Sequence, residues 1–299
     1  KYLNITVFCI SLLTYLRKHK SDIDILHVHT ADWIAGVAGL GGKLFGIPVV
    51  CKGADTPVFP DLECVPMSFL LDRYRKTPHF IALTESMEKD LRDHDGPKGK
   101  ISVIPNGVEL PETTSHVYEN ATFLFLGNFS QTAAHKGFDI LIDAWSEVVK
   151  QEPGVRLIMA GGGDSSEWQN AAKQLGIFDT IRFPGYCINI EKLFLESGCL
   201  ILPSRKEGLS NALLEANSYG LPAVVTDIPG MKEVVIHGET GLIVPVSDSR
   251  ALCEAILSMY RNPQLRRYYG KAARLRVEDL YGIDSVASRV ESLYSRLVH

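Results

Sequence analysis

Two glutamates, Glu207 and Glu215, bracket the segment of the chain that is best suited to chemistry. The segment follows an apolar run at 199–202, and in open α/β sheets ligands bind where a strand ends and a helix begins. Gly208 has no side chain, so backbone N–H groups beside it can approach an anion with the help of the helix dipole. The pattern predicts a phosphate site flanked by two carboxylates.

The spacing of the two glutamates fits a ligand of a particular length. Eight residues of helix advance roughly 12 Å at 1.5 Å per residue, and both side chains then face one groove. A nucleotide sugar suits this length, because one glutamate can hold sugar hydroxyls and the other ribose hydroxyls, with the diphosphate between them. The spacing alone is equally compatible with two solvated glutamates on a surface helix.

Short apolar runs predict the strands that position these residues. Most runs are continuous rather than alternating, as expected for parallel strands covered on both faces, and helical-period segments lie between them. The fold class is therefore α/β with parallel sheets. The predicted strands are 25–29, 48–52, 79–83, 101–104, 122–126, 155–160, 180–183, 199–202, 223–226 and 241–244, and the clearest predicted helices are 33–45, 138–151, 165–175 and 208–219.

The stretch 112–120 lacks periodicity and predicts a linker between two domains. An N-terminal domain then covers 1–111, and a C-terminal domain with terminal helices covers 121–299. The first domain offers four strands where doubly wound domains usually carry five or six. Because the chain also begins with Lys1 rather than Met, we expect the N-terminal domain to be incomplete at its start.

Composition excludes several classes of protein. The 299 residues are 45% hydrophobic and carry a formal net charge of -4, which argues against a nucleic-acid binder. The six cysteines are scattered without a C-x-x-C pair, so we expect reduced thiols and no metal site. The apolar run at 2–16 is shorter than the ~20 residues of a membrane span and predicts a buried helix.

The stretch 202–227 resembles the signature of the family-4 retaining glycosyltransferases, in which a Glu, seven residues and a second Glu precede a Gly-x-Pro-x-Val pattern. The similarity continues through 230–242, 106–108 and 158–163. It implies the GT-B fold, in which two Rossmann-like parallel-sheet domains face a cleft. The C-terminal domain of such a protein holds a nucleotide-sugar donor.

The resemblance assigns roles on the donor side. Glu207 corresponds to the carboxylate on the donor sugar, Glu215 to the one on the ribose, and Lys136 to the lysine that neutralises the leaving diphosphate. Lys52 stands where the family carries a histidine near the reacting carbon. The other donor-binding residues implied are Gly127, Asn128, Gly161, Gly185, Tyr186, Ser204, Gly208, Leu209, Ser210 and Asn211.

One departure from the family pattern concerns the diphosphate. The family usually has an arginine directly after the glycine of the first C-domain strand, and this chain has Asn128 there. The loop 130–135 is also longer than the common form. Arg205 and Lys206 are the nearby cations that remain to compensate.

The acceptor side is predicted from the N-terminal half. His27 and His29 are two residues apart on a predicted strand and point the same way, but no further ligands accompany them, so we predict no metal. By the resemblance, the residues expected to line the acceptor cleft are His29, Asp32, Asp55 and Asn106.

The resemblance implies a function. We expect transfer of a sugar from a UDP- or GDP-sugar to a hydroxyl acceptor, with retention of configuration, without metal and without a cofactor beyond the donor substrate. Polysaccharide, lipopolysaccharide or glycolipid synthesis is the implied setting, with a lipid-linked glycan as one acceptor class. We expect a cytoplasmic protein, and the basic stretch 261–276 suggests peripheral contact with the inner face of a membrane.

Two other classes of function stay open on the sequence. A nucleotide-sugar epimerase of the same architecture would isomerise the free donor instead of forming a glycoside. A remnant that binds nucleotide sugar without transferring it would fit the asparagine at 128 and the lysine at 52.

Overall fold

The computed structural model describes residues 2–29, 33–53, 74, 76–93, 100–114 and 122–298. They form two compact units. The N-terminal unit comprises Lys1–Asn106 together with Asp284–His299, and the C-terminal unit comprises Gly107–Ile283.

The described elements alternate between strand and helix, as the sequence predicts. Two 3-10 helices, Gln131–Lys136 and Phe178–Thr180, accompany them. In chain order the elements are α1 (Tyr2–His19), β1 (Leu26–Val28), α2 (Trp33–Phe45), β2 (Val49–Lys52), β3 (His79–Ala82), α3 (Glu85–Asp93), β4 (Ile101–Val103), β5 (Thr122–Leu126), α4 (Phe138–Gln151), β6 (Arg156–Ala160), α5 (Ser166–Gln174), β7 (Ile181–Gly185), α6 (Glu191–Glu196), β8 (Cys199–Leu202), α7 (Asn211–Ser218), β9 (Ala223–Thr226), α8 (Pro229–Lys232), β10 (Gly241–Val244), α9 (Ser249–Arg261), α10 (Pro263–Tyr281) and α11 (Ile283–Val298).

The α/β class with parallel sheets is confirmed. The N-terminal unit has a four-stranded sheet in the order β1-β2-β3-β4, and the C-terminal unit has a six-stranded sheet in the order β10-β9-β8-β5-β6-β7. The paired strands run parallel throughout both sheets of the described chain. Each predicted apolar run forms a strand, because continuous apolar side chains suit a strand that is covered on both faces.

The core of the C-terminal unit lies between its sheet and the flanking helices. Phe123 on β5 and Ile201 on β8 are fully buried against Trp145 of α4 and Ile256 of α9. The indole Nε1 of Trp145 donates to the hydroxyl of Thr180 at 3.0 Å, so its polar atom is satisfied inside the core.

Two helix predictions need correction. The run at 2–16 does form α1, but it is not buried all round: Val7, Ile10 and Tyr15 are more than half exposed, and Cys9 and Leu16 form the buried face. The helix predicted over 208–219 begins only at Asn211, because Ser210 has extended backbone angles. Among the described residues, no helix has both the length and the hydrophobicity to span a membrane.

The compact units also divide the chain differently from the predicted domains. The division falls after Asn106, and Val108 pairs with the backbone at 281–283 inside the C-terminal unit. The last helix, α11, belongs to the N-terminal unit because Val286 and Leu293 pack on the sheet residues Val50 and Ile81. Of the predicted linker, 115–120 lies outside the described residues.

Truncation of Leu293 tests the packing of α11. Leu293→Ala should destabilise the N-terminal unit by about 2–5 kcal/mol, because a buried leucine leaves a cavity when shortened. Leu275→Ala is the matched control, since this leucine lies on another helix and is 65% exposed. Urea unfolding measures the loss of stability in each variant, and hydrogen exchange of the amides in β2 and β3 shows whether the loss lies in the N-terminal unit. Equal losses in the two variants would contradict the assignment of α11.

Candidate functional site

The topology of the C-terminal unit places two loops at one point. From β5 the chain continues to β6 on one side of the sheet, and from β8 it continues to β9 on the other side. Because β5 and β8 are neighbours, the loops that follow them meet at a topological switch point, where open α/β sheets bind ligands. The first loop carries Lys136, and the second carries Ser204 and Glu207.

The two loops approach each other backbone to backbone. Gly137 has φ of 73°, and a Cβ at this position would overlap the carbonyl oxygen of Pro203. The amide of Arg205 donates to the carbonyl of His135 at 2.6 Å. A side chain at 137 would force the loops apart, so the glycine is what allows Lys136 to stand beside Ser204.

Lys136, Ser204 and Glu207 form one polar cluster. The Lys136 ammonium Nζ lies 2.5 Å from Glu207 Oε1, and the Ser204 hydroxyl donates to the same oxygen at 3.0 Å. The Thr226 hydroxyl donates to the carbonyl oxygen of Ser204 and so holds the backbone of this residue in place. The Glu207 side chain is only 12% exposed, so this carboxylate has a defined position beside a fixed cation.

The N-terminus of α7 lies directly after this cluster. Gly208, Leu209 and Ser210 are buried and lead into the helix at Asn211. The first turn of any helix has N–H groups without partners inside the helix, and its dipole favours an anion there. Ser210 makes no side-chain cap, so backbone groups at this helix end stay suited to a ligand.

Glu215 lies one turn into α7 and is partly buried. Burial raises the pKa of its carboxyl above the ordinary value for glutamate. Because Glu207 precedes the helix, the length of roughly 12 Å expected for eight helical residues does not apply to this pair. The predicted arrangement on one helix is therefore wrong, although both carboxylates flank the same helix N-terminus.

Backbone hydrogen bonds join the loops after β5, β6 and β7. Gly127 donates to the carbonyl of Ala160 at 3.0 Å, and Gly161 donates to that of Gly185 at 3.0 Å. A Cβ at Gly161 would overlap the carbonyl oxygen of Gly127, so glycine is required for this approach. Tyr186 follows directly and is 78% exposed, which presents an aromatic ring at the same edge of the sheet.

Arg205, one of the two nearby cations left to compensate for Asn128, is bound to other groups in the structure. Its guanidinium donates to both carboxylate oxygens of Asp139, at 2.9 and 2.6 Å, and to the carbonyl of Ala134 at 3.1 Å. This pair lowers the pKa of Asp139. Arg205 therefore clamps the loop that carries Lys136, while Asn128 and Lys206 are exposed. Sequence reasoning missed Asp139, whose signal was an acid in the first turn of the next helix.

The acceptor-side predictions fall in the N-terminal unit. His29 is exposed just after β1, and its ring stacks on that of His27 at 4.4 Å. Asn106 is partly exposed after β4. Asp32 and Asp55 lie outside the described residues.

Lys52 and His27 are two basic side chains of the same sheet. Lys52 ends β2 and is partly buried, and burial lowers its pKa. Burial, followed by the charges of His29 and Lys52, lowers the pKa of His27 to about 4. Two neighbouring strands thus hold a lysine and a histidine whose charged forms are disfavoured. Within the described residues, no group of three His, Cys, Asp or Glu side chains could hold a metal ion.

Comparisons with known proteins agree on one class. The family model of the glycosyl transferases group 1 matches residues 110–276, and that of glycosyltransferase family 4 matches residues 1–112. The crystal structure of HepE from Anabaena in complex with UDP covers 96% of this chain and 82% of its own, with a TM-score of 0.84 at 18% identity.

Two relatives are similar in sequence. An uncharacterized glycosyltransferase of Haemophilus influenzae is 29% identical over 208 residues, which is 69% of this chain and 58% of that protein. The putative glycosyltransferase EpsD of Bacillus subtilis is 30% identical over 277 residues, 85% of this chain and 71% of EpsD. The chain thus spans little more than half the length of the first relative.

The chain has the GT-B fold of glycosyltransferases. It belongs to the glycosyl transferases group 1 family, and the family-4 resemblance that its sequence predicts is confirmed.

Replacement of Arg205 tests the clamp on the Lys136 loop. Arg205→Lys keeps the charge but loses the bidentate fork, so the loop 131–137 should open about fivefold more often, equivalent to about 1 kcal/mol. Hydrogen exchange of the loop amides measures this opening. Arg250→Lys is the control, because Arg250 makes an exposed pair with Glu254 on α9. Unchanged exchange in Arg205→Lys would show that the clamp does not hold the loop.

The partly buried position of Glu215 predicts a pH-dependent cost in stability. A raised pKa means that the folded state binds the proton more tightly, so this stabilisation is present at low pH and is lost as the pH rises through the folded pKa. Glu215→Gln should therefore be more stable than the wild type at pH 7, with no difference below about pH 4. Urea unfolding across pH measures this, with Glu239→Gln as an exposed control. A wild type that is the more stable protein at pH 7 would refute it.

Proposed function

We propose that this chain transfers a sugar from a UDP- or GDP-sugar to a hydroxyl acceptor with retention of configuration at the anomeric carbon. The observation that carries the proposal is the cluster of Lys136, Ser204 and Glu207 beside the N-terminus of α7. It combines a fixed cation, a fixed carboxylate and a helix end, which are the groups that a sugar diphosphate needs.

The donor sugar and diphosphate would occupy this cluster. Glu207 Oε1 accepts from Lys136 and Ser204, and a carboxylate has a second oxygen that can accept from a sugar hydroxyl. The Lys136 ammonium and the backbone N–H groups at the start of α7 would stabilise the charge that develops on the departing diphosphate. Positioned charges of this kind usually contribute more to the rate of an enzymatic reaction than any other single effect.

The nucleoside would extend away from the cluster. Glu215 would accept hydrogen bonds from the two ribose hydroxyls, and its partial burial makes such bonds stronger than they are in water. Tyr186 offers an exposed ring on which the base can stack. UDP is the first nucleotide to test, because the HepE structure contains it. At 18% identity the likeness to HepE supports the fold alone, so GDP is tested together with UDP.

Retention would follow from attack on the face that the phosphate leaves. Retaining glycosidases use two carboxyl groups about 5–5.5 Å apart, one of them a nucleophile. Here Glu207 is held by Lys136 and Ser204, which favours a binding role. The bond between the anomeric carbon and the phosphate oxygen breaks, the acceptor oxygen bonds to the same carbon, and the acceptor proton passes to the departing phosphate. The step needs no metal. The roles of Lys52, His29 and Asn106 stay predictions.

The proposal includes membrane contact through fewer residues than the whole basic stretch 261–276. Four of the six basic side chains at 261–276 bond within the protein itself. Arg261 pairs with Glu152, Arg266 is buried on the carbonyls of Met259 and Tyr260, and Arg274 and Arg276 also donate to backbone carbonyls. The exposed face of α10 that stays suited to a lipid surface consists of Arg267, Tyr268, Lys271 and Leu275. A cytoplasmic protein with a lipid-linked glycan acceptor in polysaccharide or glycolipid synthesis fits this face.

One observation favours a second candidate function, which is binding of a nucleotide sugar without transfer. Asn128 occupies the position of a diphosphate cation, and Arg205 is bound to Asp139. The site then offers Lys136 as its central cation for the leaving group. A site that binds the donor but stabilises the departing charge weakly would form product very slowly.

Calorimetric titration of UDP and GDP locates the donor site. One nucleotide should bind more tightly, and Glu215→Ala should weaken it at least tenfold, because a hydrogen bond to a charged group contributes about 1.5–3 kcal/mol. Glu254→Ala on α9 is the control, since this side chain is 66% exposed. Equal binding by the wild type and Glu215→Ala would remove Glu215 from the site.

A transfer assay separates the candidate functions. With nucleotide sugars and hydroxyl acceptors, NMR of the product should show a glycoside with the donor's anomeric configuration, formed equally well in EDTA. Lys136→Met should lower kcat by about 10²–10³-fold. An inverted product or a metal requirement would refute the mechanism. An isomerised free donor would indicate an epimerase, and binding without any product would favour the second candidate.

A further inference from the structure

A cleft in the N-terminal unit runs between β4 and α11, whereas the proposed donor site belongs to the C-terminal unit. Its volume is about 720 Å³. Ligand pockets of proteins typically have volumes of about 300–1,000 Å³, so the cleft is large enough for a small ligand. Its lining combines hydroxyl and guanidinium groups over a short apolar floor. The lining residues are Ser102, Val103, Ile104, Ser285, Ser288, Arg289, Ser292 and Arg296.

The helical repeat of α11 explains why these groups share one side. Val286 and Leu293 form the buried apolar stripe that packs on the sheet. The neighbouring stripe at 285, 288, 289, 292 and 296 follows the same three- and four-residue spacing and borders the cleft. Arg289 and Arg296 are seven residues apart, so their Cα atoms are separated by about 10 Å along the helix, with Ser292 between them.

The two guanidinium groups are held in place. Arg289 Nη2 donates to the carbonyl of Val103 at 2.6 Å, and Arg296 Nη1 donates to the Ser292 hydroxyl at 3.0 Å. A guanidinium carries five donors in a rigid fork, so one such bond orients it without exhausting its capacity. Both arginines can therefore direct further N–H groups at an anion in the cleft.

The local charge is positive. The described residues that line the cleft include no carboxylate. Ser102 also bonds through its hydroxyl to His79 Nε2 at 3.0 Å. Burial lowers the pKa of His79, and the charges of the nearby Arg296 and Lys100 lower it further. Hydroxyl and guanidinium donors without a competing acid are the groups that bind phosphate oxygens.

The geometry points to a phosphate-binding cleft, in which Arg289 and Arg296 clamp a phosphoryl or pyrophosphoryl group and Ser102, Ser285 and Ser292 donate to its oxygens. The phosphate is either part of a lipid headgroup or a free soluble ion. This site uses none of the residues of the proposed donor site, and its existence does not depend on sugar transfer.

Titration of inorganic phosphate and pyrophosphate into the full chain at low salt tests the soluble source. Binding should be saturable, and Arg289→Gln/Arg296→Gln should weaken it at least tenfold. The matched control is Lys150→Gln/Arg250→Gln, which removes two exposed positive charges from the C-terminal unit and should change affinity less than twofold. Lys136→Met identifies any anion binding that belongs to the donor site instead.

Ser292→Glu keeps the test decisive if the double variant folds poorly. The new carboxylate would lie one helical turn from both Arg289 and Arg296, which supports the helix while it occupies the two cations. It should abolish phosphate binding in a folded protein, as circular dichroism would verify.

Vesicle cosedimentation tests the lipid source. Phosphatidylcholine vesicles with and without phosphatidylglycerol are compared for the wild type, Ser292→Glu and the control. Soluble phosphate binding that the cleft variants remove supports a free ion, and loss of vesicle binding alone supports a lipid headgroup. The proposal is overturned if neither probe binds, or if binding persists in the cleft variants and disappears only in Lys136→Met.

Discussion

The close approach of two backbone loops at the switch point of the larger sheet is the constraint on which the proposed donor site depends. Gly137 lies against the carbonyl of Pro203, and this contact places the Lys136 ammonium 2.5 Å from Glu207. The parallel order brings β5 and β8 together, so both loops leave the sheet at the same edge. A cation and a carboxylate that are far apart in sequence thereby become one polar cluster.

Two contacts around the cluster hold it in place. The Arg205–Asp139 pair fixes the loop of Lys136, and the Thr226 hydroxyl fixes the carbonyl of Ser204. A positioned charge is more effective than a mobile one, because the surroundings need not reorganise when charge develops. The clamp also explains why Arg205 does not replace the arginine that the family usually carries at the position of Asn128.

In the N-terminal unit, one helix both packs on the sheet and positions charged side chains at the surface. Its last helix buries one stripe on the sheet, and the adjacent stripe carries the arginines and serines of the phosphate-binding cleft. The helix that completes the core therefore also supplies Arg289 and Arg296. Apolar packing decides the unit to which this helix belongs, and no local sequence signal near 284–299 reveals it.

Local sequence patterns were sufficient to predict the ten strands found in the described residues, the α/β class and the family, and they singled out the residues of the proposed donor site. Continuous apolar runs and the E-x7-E segment are visible in a single chain, because each depends on neighbouring residues alone. The start of α7 after Glu207, the binding of Arg205 to Asp139 and the place of α11 in the N-terminal unit emerged from the folded chain. The last two depend on contacts between residues distant in sequence, whose partners are set by packing rather than by propensity.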